Sequence, residues 1–338
     1  MLSRKNKIFK LKKIYINKSI SFSIEYLNYT YLFRYKNFIN ENMNILITGG
    51  KGFIGASLEK RLQKLKHHTS ILDINFGDKI LNENEIKFDI RDSSISKKFA
   101  NKKYDVIFHL AAQTSGLISE ENPTLDFETN ILGTYNLIKI AKLVGARKIV
   151  FTSSMAVYGN TKEKSQVDEN EGLKPLSNYG VSKLTAEHLL INSEVDITIF
   201  RLFNVYGPGQ NLENMKQGMV SIFLAQYIRD SQIKVTGSLK RYRDFIYIDD
   251  VVNALIYGLN QETSGQIYNV GSDKKTTVLE LLNTINNLDK QLKPIVELNG
   301  HKGDTFGIFS SSQKLRKLGW ENKTELKKGL KITYNFIK

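Results

Sequence analysis

Residues 45–55 read ILITGGKGFIG, and the fold follows from how this stretch is understood. An apolar, β-branched run ends at Thr48; Gly49, Gly52 and Gly55 follow in a G-x-x-G-x-x-G spacing; Leu58, Leu62 and Leu65 then recur at i, i+4 and i+7 among basic residues. That is a strand, a glycine turn and an amphipathic helix. Glycines there let the backbone turn tightly and come close to a pyrophosphate, and the helix N-terminus offers unpaired N–H groups and the positive end of its dipole. The loop residues Gly49, Gly52, Phe53, Ile54 and Gly55 are therefore candidate contacts for a dinucleotide, with a purely structural glycine turn as the competing reading.

Outward from this unit, short β-rich runs at 44–48, 69–74, 86–88, 105–110, 148–152 and 196–200 alternate with helical segments. Such alternation predicts an α/β fold, a doubly wound, Rossmann-type parallel sheet with helices on both faces. Asp73 ends the second run near the roughly 20-residue offset at which an acidic side chain meets the adenosine ribose hydroxyls. A carboxylate there repels a 2′-phosphate, which favours NAD over NADP. Beyond Asn204 the alternation loosens into a Gly-Pro-Gly turn at 207–209, a helix near 220–228 and shorter strands. The expected organisation is an NAD-binding domain over 43–204 and a smaller, mainly substrate-binding α/β domain over 205–338, with 245–260 returning to the first.

The 338 residues include no cysteine, which excludes disulfides, thiol catalysis and cysteine-ligated zinc. The five histidines are scattered without ligand spacing, so no metal is expected. No run approaches the roughly 18 uninterrupted apolar residues of a membrane span. Residues 1–42 carry +7 of the formal net charge of +15. This basic, Tyr- and Phe-rich stretch stops just before Met43, where the patterned strand begins, and is expected to be an extension outside the fold. It reads as a misassigned start, as an organelle-type or surface-association segment, or as a genuine extra helix or arm. No apolar core follows the charged stretch, so a secretory signal is not expected and the location is expected to be cytoplasmic. The mildly basic remainder suits a phosphate-bearing substrate better than nucleic acid.

Tyr-x-x-x-Lys occurs at Tyr158/Lys162, Tyr179/Lys183 and Tyr334/Lys338. A phenol serves as acid and base near neutrality if positive charge lowers its pKa, and a lysine one helical turn away on the same face supplies that charge. Tyr158 to Lys162 runs through Gly159 and Asn160, and Lys338 ends the chain, whereas Tyr179 opens the helix-forming segment SKLTAEHLLI. Tyr179 and Lys183 are the chosen pair. In FTSSMAVYG, Ser153 and Ser154 close a strand at the edge where such sheets bind ligands, so a serine hydroxyl here is a candidate to relay a proton between substrate and Tyr179.

Together these motifs resemble the extended short-chain dehydrogenase/reductase family, in its NAD-dependent epimerase/dehydratase branch, from Met43 to Lys338. Family-like stretches are FDIRD, FHLAAQTS, TNILGTYNL, FTSSMAVYG, YGVSK, RLFNVYGPGQ, RDFIYIDDVVNAL and YNVGS. The resemblance implies that Asp89, Ile90, Leu110, Ala111, Ala112 and Asn130 contact NAD, and that Ser154, Tyr179 and Lys183 are catalytic. Asn204 and Arg243 would hold the substrate diphosphate. His301 stands where an arginine is common, which implies a weaker or pH-dependent phosphate contact. The 4,6-dehydratases of this family carry an Asp-Glu pair after the serine, and Met155 and Ala156 stand here instead. The implied function is a sugar-nucleotide 4-epimerase of the UDP-glucose type. A UDP-glucuronate decarboxylase or other family oxidoreductase is the alternative, and a non-catalytic NAD-binding protein a distant one. A homodimer through the Asn130 and Tyr179 helices is also implied.

Overall fold

Seven parallel strands make the central sheet: β1 (Asn44–Thr48), β2 (His68–Asp73), β3 (Glu85–Lys87), β4 (Val106–His109), β5 (Lys148–Ser154), β6 (Asp196–Leu202) and, much later in the chain, β11 (Gln266–Val270). Their order is β11-β6-β5-β4-β1-β2-β3. The computed structural model describes residues 42–78, 80–159, 166–216, 218–289, 293–299 and 306–338. Met43–Lys338 is one folded unit, and the basic extension, save Asn42, lies outside the described residues.

Both faces of the sheet are apolar because successive side chains on each strand point to opposite sides. Ile45, Ile47, Val106, Phe108 and Val150 enter the core on one face, with Leu58 and Leu62 of α1 (Phe53–Lys64). Leu46, Ile107, Ile149 and Phe151 enter the other, with Leu137, Ile140 and Ala141 of α4 (Gly133–Val144) and Ala186 and Leu190 of α5 (Asn178–Ile191). Between β4 and α4 stand two short helices, α2 (Gly116–Glu121) and α3 (Pro123–Phe127), and a π-helical turn, Glu128–Leu132.

All six strands expected from the sequence are present, with slightly different ends. β5 and β6 run on because they keep pairing, as far as Ser154 opposite Leu202. The seventh, β11, was not expected in this sheet; its backbone completes the open edge of β6. The rest of the distal half consists of strand pairs. β7 (Asn204–Tyr206) pairs with β10 (Phe245–Tyr247), β8 (Ile233–Thr236) with β13 (Ile295–Leu298), and β9 (Tyr242–Arg243) with β12 (Thr276–Thr277). They are accompanied by α6 (Met219–Arg229), α7 (Ile248–Tyr257) and α8 (Val278–Asn286). Val251, Val252 and Leu255 of α7 share a core with Leu58 and Leu62, so this part of the chain covers the sheet near α1. Among the described residues no helix is long and apolar enough to cross a membrane, and no three His, Asp or Glu side chains are grouped as metal ligands.

Candidate active site

A cleft of about 1060 Å³ opens at the carboxyl ends of the strands, where the order turns back between β1 and β4 and open α/β sheets take their ligands. Every site residue expected from the sequence lines this cleft except two. Asn130 lies beneath it, and His301 lies outside the described residues.

One end is built by the glycine loop. Gly49 has φ +68°, and a Cβ there would stand 2.7 Å from the Ala111 nitrogen; a Cβ on Gly55 would stand 2.2 Å from the Gly49 carbonyl. No real side chain fits such distances, so strand end, loop and helix can touch only as glycines. No side chain caps α1 at Gly52, which leaves its first-turn N–H groups available to an anion. The Asp73 carboxylate accepts from the Lys51 and Asn75 N–H groups, both at 2.9 Å, and so ties the loop to the end of β2. Arg91 Nη2 lies 2.7 Å from Asp89 Oδ2, and this hydrogen-bonded pairing holds the Asp89 carboxyl below its ordinary range.

A buried relay supports the middle of the cleft. Thr134 Oγ1 donates to the Asn130 carbonyl at 2.6 Å and therefore accepts from His109 Nε2 at 3.0 Å. Thr48 Oγ1 accepts from the Ala111 N–H at 3.2 Å and donates to His109 Nδ1 at 2.8 Å. This assigns the proton to Nε2. Burial, with the charge of Lys183, pushes the imidazole down to about 3, so it is neutral. Asn130 accepts from the Gln113 N–H at 2.9 Å and donates to the Gln113 carbonyl and to Ser182 Oγ, both at 3.0 Å. The resemblance implied a cofactor contact for Asn130. Its amide joins the loop after β4 to α5 through these bonds.

Across the cleft stand Ser154, Tyr179 and Lys183. Ser154 ends β5, accepts from the Ala156 N–H at 3.2 Å and lies near enough to Tyr179 to act on its phenol. α5 starts at the Ser177 cap, whose hydroxyl accepts from the Gly180 N–H at 3.1 Å. This start places Tyr179 in its first turn and Lys183 one turn on, with Lys183 Nζ 4.1 Å from the centre of the Phe151 ring. Burial pushes the Tyr179 phenol up to about 12, with Ser154 opposing the rise and Asp126 adding to it. Burial pushes the Lys183 ammonium down to about 7, against the charges of Glu187 and Asp126. The expected lowering of the phenol by its lysine is thus reversed: desolvation acts on both groups and disfavours the charged form of each. Of the other two Tyr-x-x-x-Lys pairs, Tyr158 is buried in the core and donates to Asn269 at 2.6 Å, while Lys162 lies outside the described residues. Tyr334 bonds Asp289 near the chain end.

The far end holds Asn204 and Arg243. Arg243 Nη1 donates to the Tyr242 carbonyl at 2.8 Å, and burial, with the charge of Arg241, pushes the guanidinium down to about 10. A guanidinium kept in so dry a place gains from an anionic ligand. Asn204 Nδ2 donates to the Asp244 carbonyl at 3.0 Å. The Asp244 carboxylate accepts from Ser272 Oγ and Ser310 Oγ, both at 2.6 Å, which anchors the Arg243 strand to two distant loops.

Sequence reasoning missed His109, Thr48, Asp126 and Asp244, although a polar residue inside an apolar run marks His109. It also missed Glu120, Gln210, Asn211 and Asn214, which line the cleft; the polar run after the Gly-Pro-Gly turn is the local sign of the last three.

A doubly wound sheet, with an uncapped glycine-loop helix facing a strand-end serine and a Tyr-x-x-x-Lys helix across one cleft, defines a dinucleotide-using enzyme of the short-chain dehydrogenase class. A profile described as the NAD dependent epimerase/dehydratase family matches residues 45–271, and the chain belongs to that family. It is 35% identical to the UDP-glucose 4-epimerase of Mycolicibacterium smegmatis over 254 residues, 71% of this chain and 80% of that protein. It is 32% identical to UDP-glucuronic acid decarboxylase 6 of Arabidopsis thaliana over 316 residues, 88% of this chain and 90% of that one. The crystal structure of the Thermotoga maritima UDP-glucose 4-epimerase with UDP-glucose matches with a TM-score of 0.82 at 31% identity, covering 87% of this chain and 98% of that chain.

Proposed function

We propose that this chain is an NAD-dependent sugar-nucleotide 4-epimerase of the UDP-glucose/UDP-galactose type, acting through a 4-keto sugar. The observation that carries this reading is the convergence of Ser154, Tyr179 and Lys183 on a cleft with the glycine loop at one end and Asn204 and Arg243 at the other. The residues of the first end fit a dinucleotide: Gly49, Gly52 and Gly55 leave room for a pyrophosphate, and Asp73 and Asp89 edge the same end. Bound NAD supplies the acceptor, and then the donor, of the C4 hydride.

The chain's own residues handle the proton and the ring. Tyr179, with Ser154 acting on its phenol, takes the proton of the C4 hydroxyl and returns it to the oxygen after the sugar has turned. A phenol held at about 12 stays protonated near neutral pH and has no phenolate with which to accept a proton, so Tyr179 becomes a base only as positive charge entering the cleft lowers it. Arg243 and Asn204 grip the diphosphate, and binding at that remote end leaves the sugar ring free to rotate. A 4,6-dehydratase needs carboxylates for its work at C5 and C6, and Met155 and Ala156 provide none. Among the described cleft residues Glu120 holds the start of α5, its Oε1 accepting from the Asn178 N–H at 2.9 Å. A carboxylate there favours a hexose with a neutral C6 over a glucuronate, which ranks the epimerase above the decarboxylase.

Proton NMR of the purified protein with UDP-glucose, UDP-galactose, their N-acetyl forms and UDP-glucuronate, under catalytic NAD, tests the reading. Interconversion of a C4 pair is expected, and loss of the carboxylate from UDP-glucuronate alone would replace the epimerase with a decarboxylase. Tyr179→Phe is expected to lose at least about a thousandfold in turnover while still binding NAD; unchanged turnover overturns the assignment. The proposal includes a cytoplasmic location, no nucleic-acid or membrane partner, and a homodimer through α4 and α5. Tyr135, Leu143, Val181 and Ile191 are exposed on those helices and support the dimer. Light scattering that gives a monomer contradicts it.

A further inference from the structure

Asp126, on α3, is completely buried beneath the cleft. Its Oδ1 accepts from Gln113 Nε2 at 2.7 Å and from Asn130 Nδ2 at 3.2 Å. Asn130 Nδ2 also reaches Ser182 Oγ, and Ser182 Oγ donates to the Tyr179 carbonyl at 3.0 Å. The carboxylate is thus joined through two side chains to the first turn of α5. Its second oxygen, Oδ2, has no hydrogen-bond partner among the described residues.

A buried carboxylate with one oxygen unsatisfied is costly, and an asparagine would serve the same two donors at Oδ1 without a charge. Burial pushes the Asp126 carboxyl above its ordinary range, and its hydrogen-bond donors and the charge of Lys183 oppose that rise. Few titratable groups surround the carboxyl. From the adjoining α2 comes Glu120, whose Oε1 accepts from the Asn178 N–H at 2.9 Å. From α5 come Tyr179 and Lys183; Glu187, one turn further on, is bound to Arg201 at 2.7 Å. From β4 comes His109, which is neutral. Glu187 and Asp126 both act on Lys183, Glu187 the more strongly, and of these two carboxylates Asp126 also acts on Tyr179.

We propose that Asp126 is the positioning residue of the Tyr179–Lys183 pair: through Asn130 and Ser182 it holds the first turn of α5, and its charge sets the pH window in which the pair works. The inference rests on the epimerase reading for its kinetic test. A negative charge near both groups makes each harder to deprotonate, so removing it moves both the phenol and the ammonium to lower pH.

The test is the pH profile of kcat/KM for the NAD-loaded enzyme with UDP-glucose, in wild type and Asp126→Asn, alongside a titration of the 13Cε signals of labelled lysines. The Lys183 signal is assigned by its loss in Lys183→Arg. Both limbs of the profile, and the Lys183 titration, are expected to move to lower pH by about half a unit or more. Asp126→Glu, which keeps the charge, and Ser182→Ala, which keeps it while breaking the bridge, should leave the limbs near their wild-type positions whatever happens to the rate. If Asp126→Asn does not fold, Asp126→Ser replaces it. A lower rate with unmoved limbs and an unmoved Lys183 titration overturns the proposal. If wild type turns over no sugar nucleotide, the epimerase reading fails, and the lysine titration still decides the role of Asp126.

Discussion

Replacing Lys183 by methionine separates what the lysine does for the reaction from what it does to the fold. Lys183 is 3% exposed, and burial brings it from 10.5 to about 7. Each pH unit of that displacement corresponds to about 1.4 kcal/mol, so keeping a lysine there destabilises the native fold by up to roughly 4 kcal/mol at neutral pH. Methionine has a similar length and keeps an attractive contact with the Phe151 ring. It also leaves Asp126 without its cation, which cancels part of the gain. A net stabilisation of about 2 kcal/mol is expected, or roughly 4 °C in Tm for a chain of this size. Below about pH 7 lysine is protonated in both the folded and the unfolded chain, and wild type bears the full penalty. Between 7 and 10.5 the unfolded chain holds more protons, so wild-type stability rises with pH and the gap closes toward 10.5. Urea unfolding of both proteins near pH 6.5 and pH 10, with turnover measured alongside, reads the effect. A methionine variant less stable than wild type near pH 6.5, or a gap that does not narrow with pH, refutes the reasoning.

Other substitutions test other parts of the cleft. Gly49→Ala places a side chain at φ +68° against the Ala111 backbone and should destabilise by about 1–3 kcal/mol; calorimetric titration should show NAD affinity reduced at least tenfold. Arg243→Met should raise KM for the UDP-sugar by roughly 10- to 100-fold, the worth of a charged hydrogen bond, without changing NAD affinity, and equal loss of both would mean general damage. Glu120→Gln should raise kcat/KM for UDP-glucuronate relative to UDP-glucose by about 3- to 10-fold at low salt, and less at high salt. A ratio that does not move takes Glu120 out of substrate selection.

The strand, glycine turn and helix at 44–64 are legible in the sequence because each signal is local. Leucine periodicity, glycine spacing and a strand-end acid all act within a turn or two of backbone, and so do the Ser177 start of α5 and the spacing of Tyr179 and Lys183. β11 is not legible in this way, since QIYNV becomes a sheet strand only when the open edge of β6 is there to receive it. The same holds for charge. Sequence spacing places Lys183 near Tyr179 and suggests a lowered phenol; the packing of α3, β4 and β5 around them withdraws water from both and reverses that direction. Residue pattern alone points to the fold class, the dinucleotide end and the Tyr179–Lys183 pair, and the family resemblance adds Ser154. Tertiary structure decides their protonation and their support by His109, Asn130 and Asp126, because desolvation and buried hydrogen bonds depend on which distant segments close over a group.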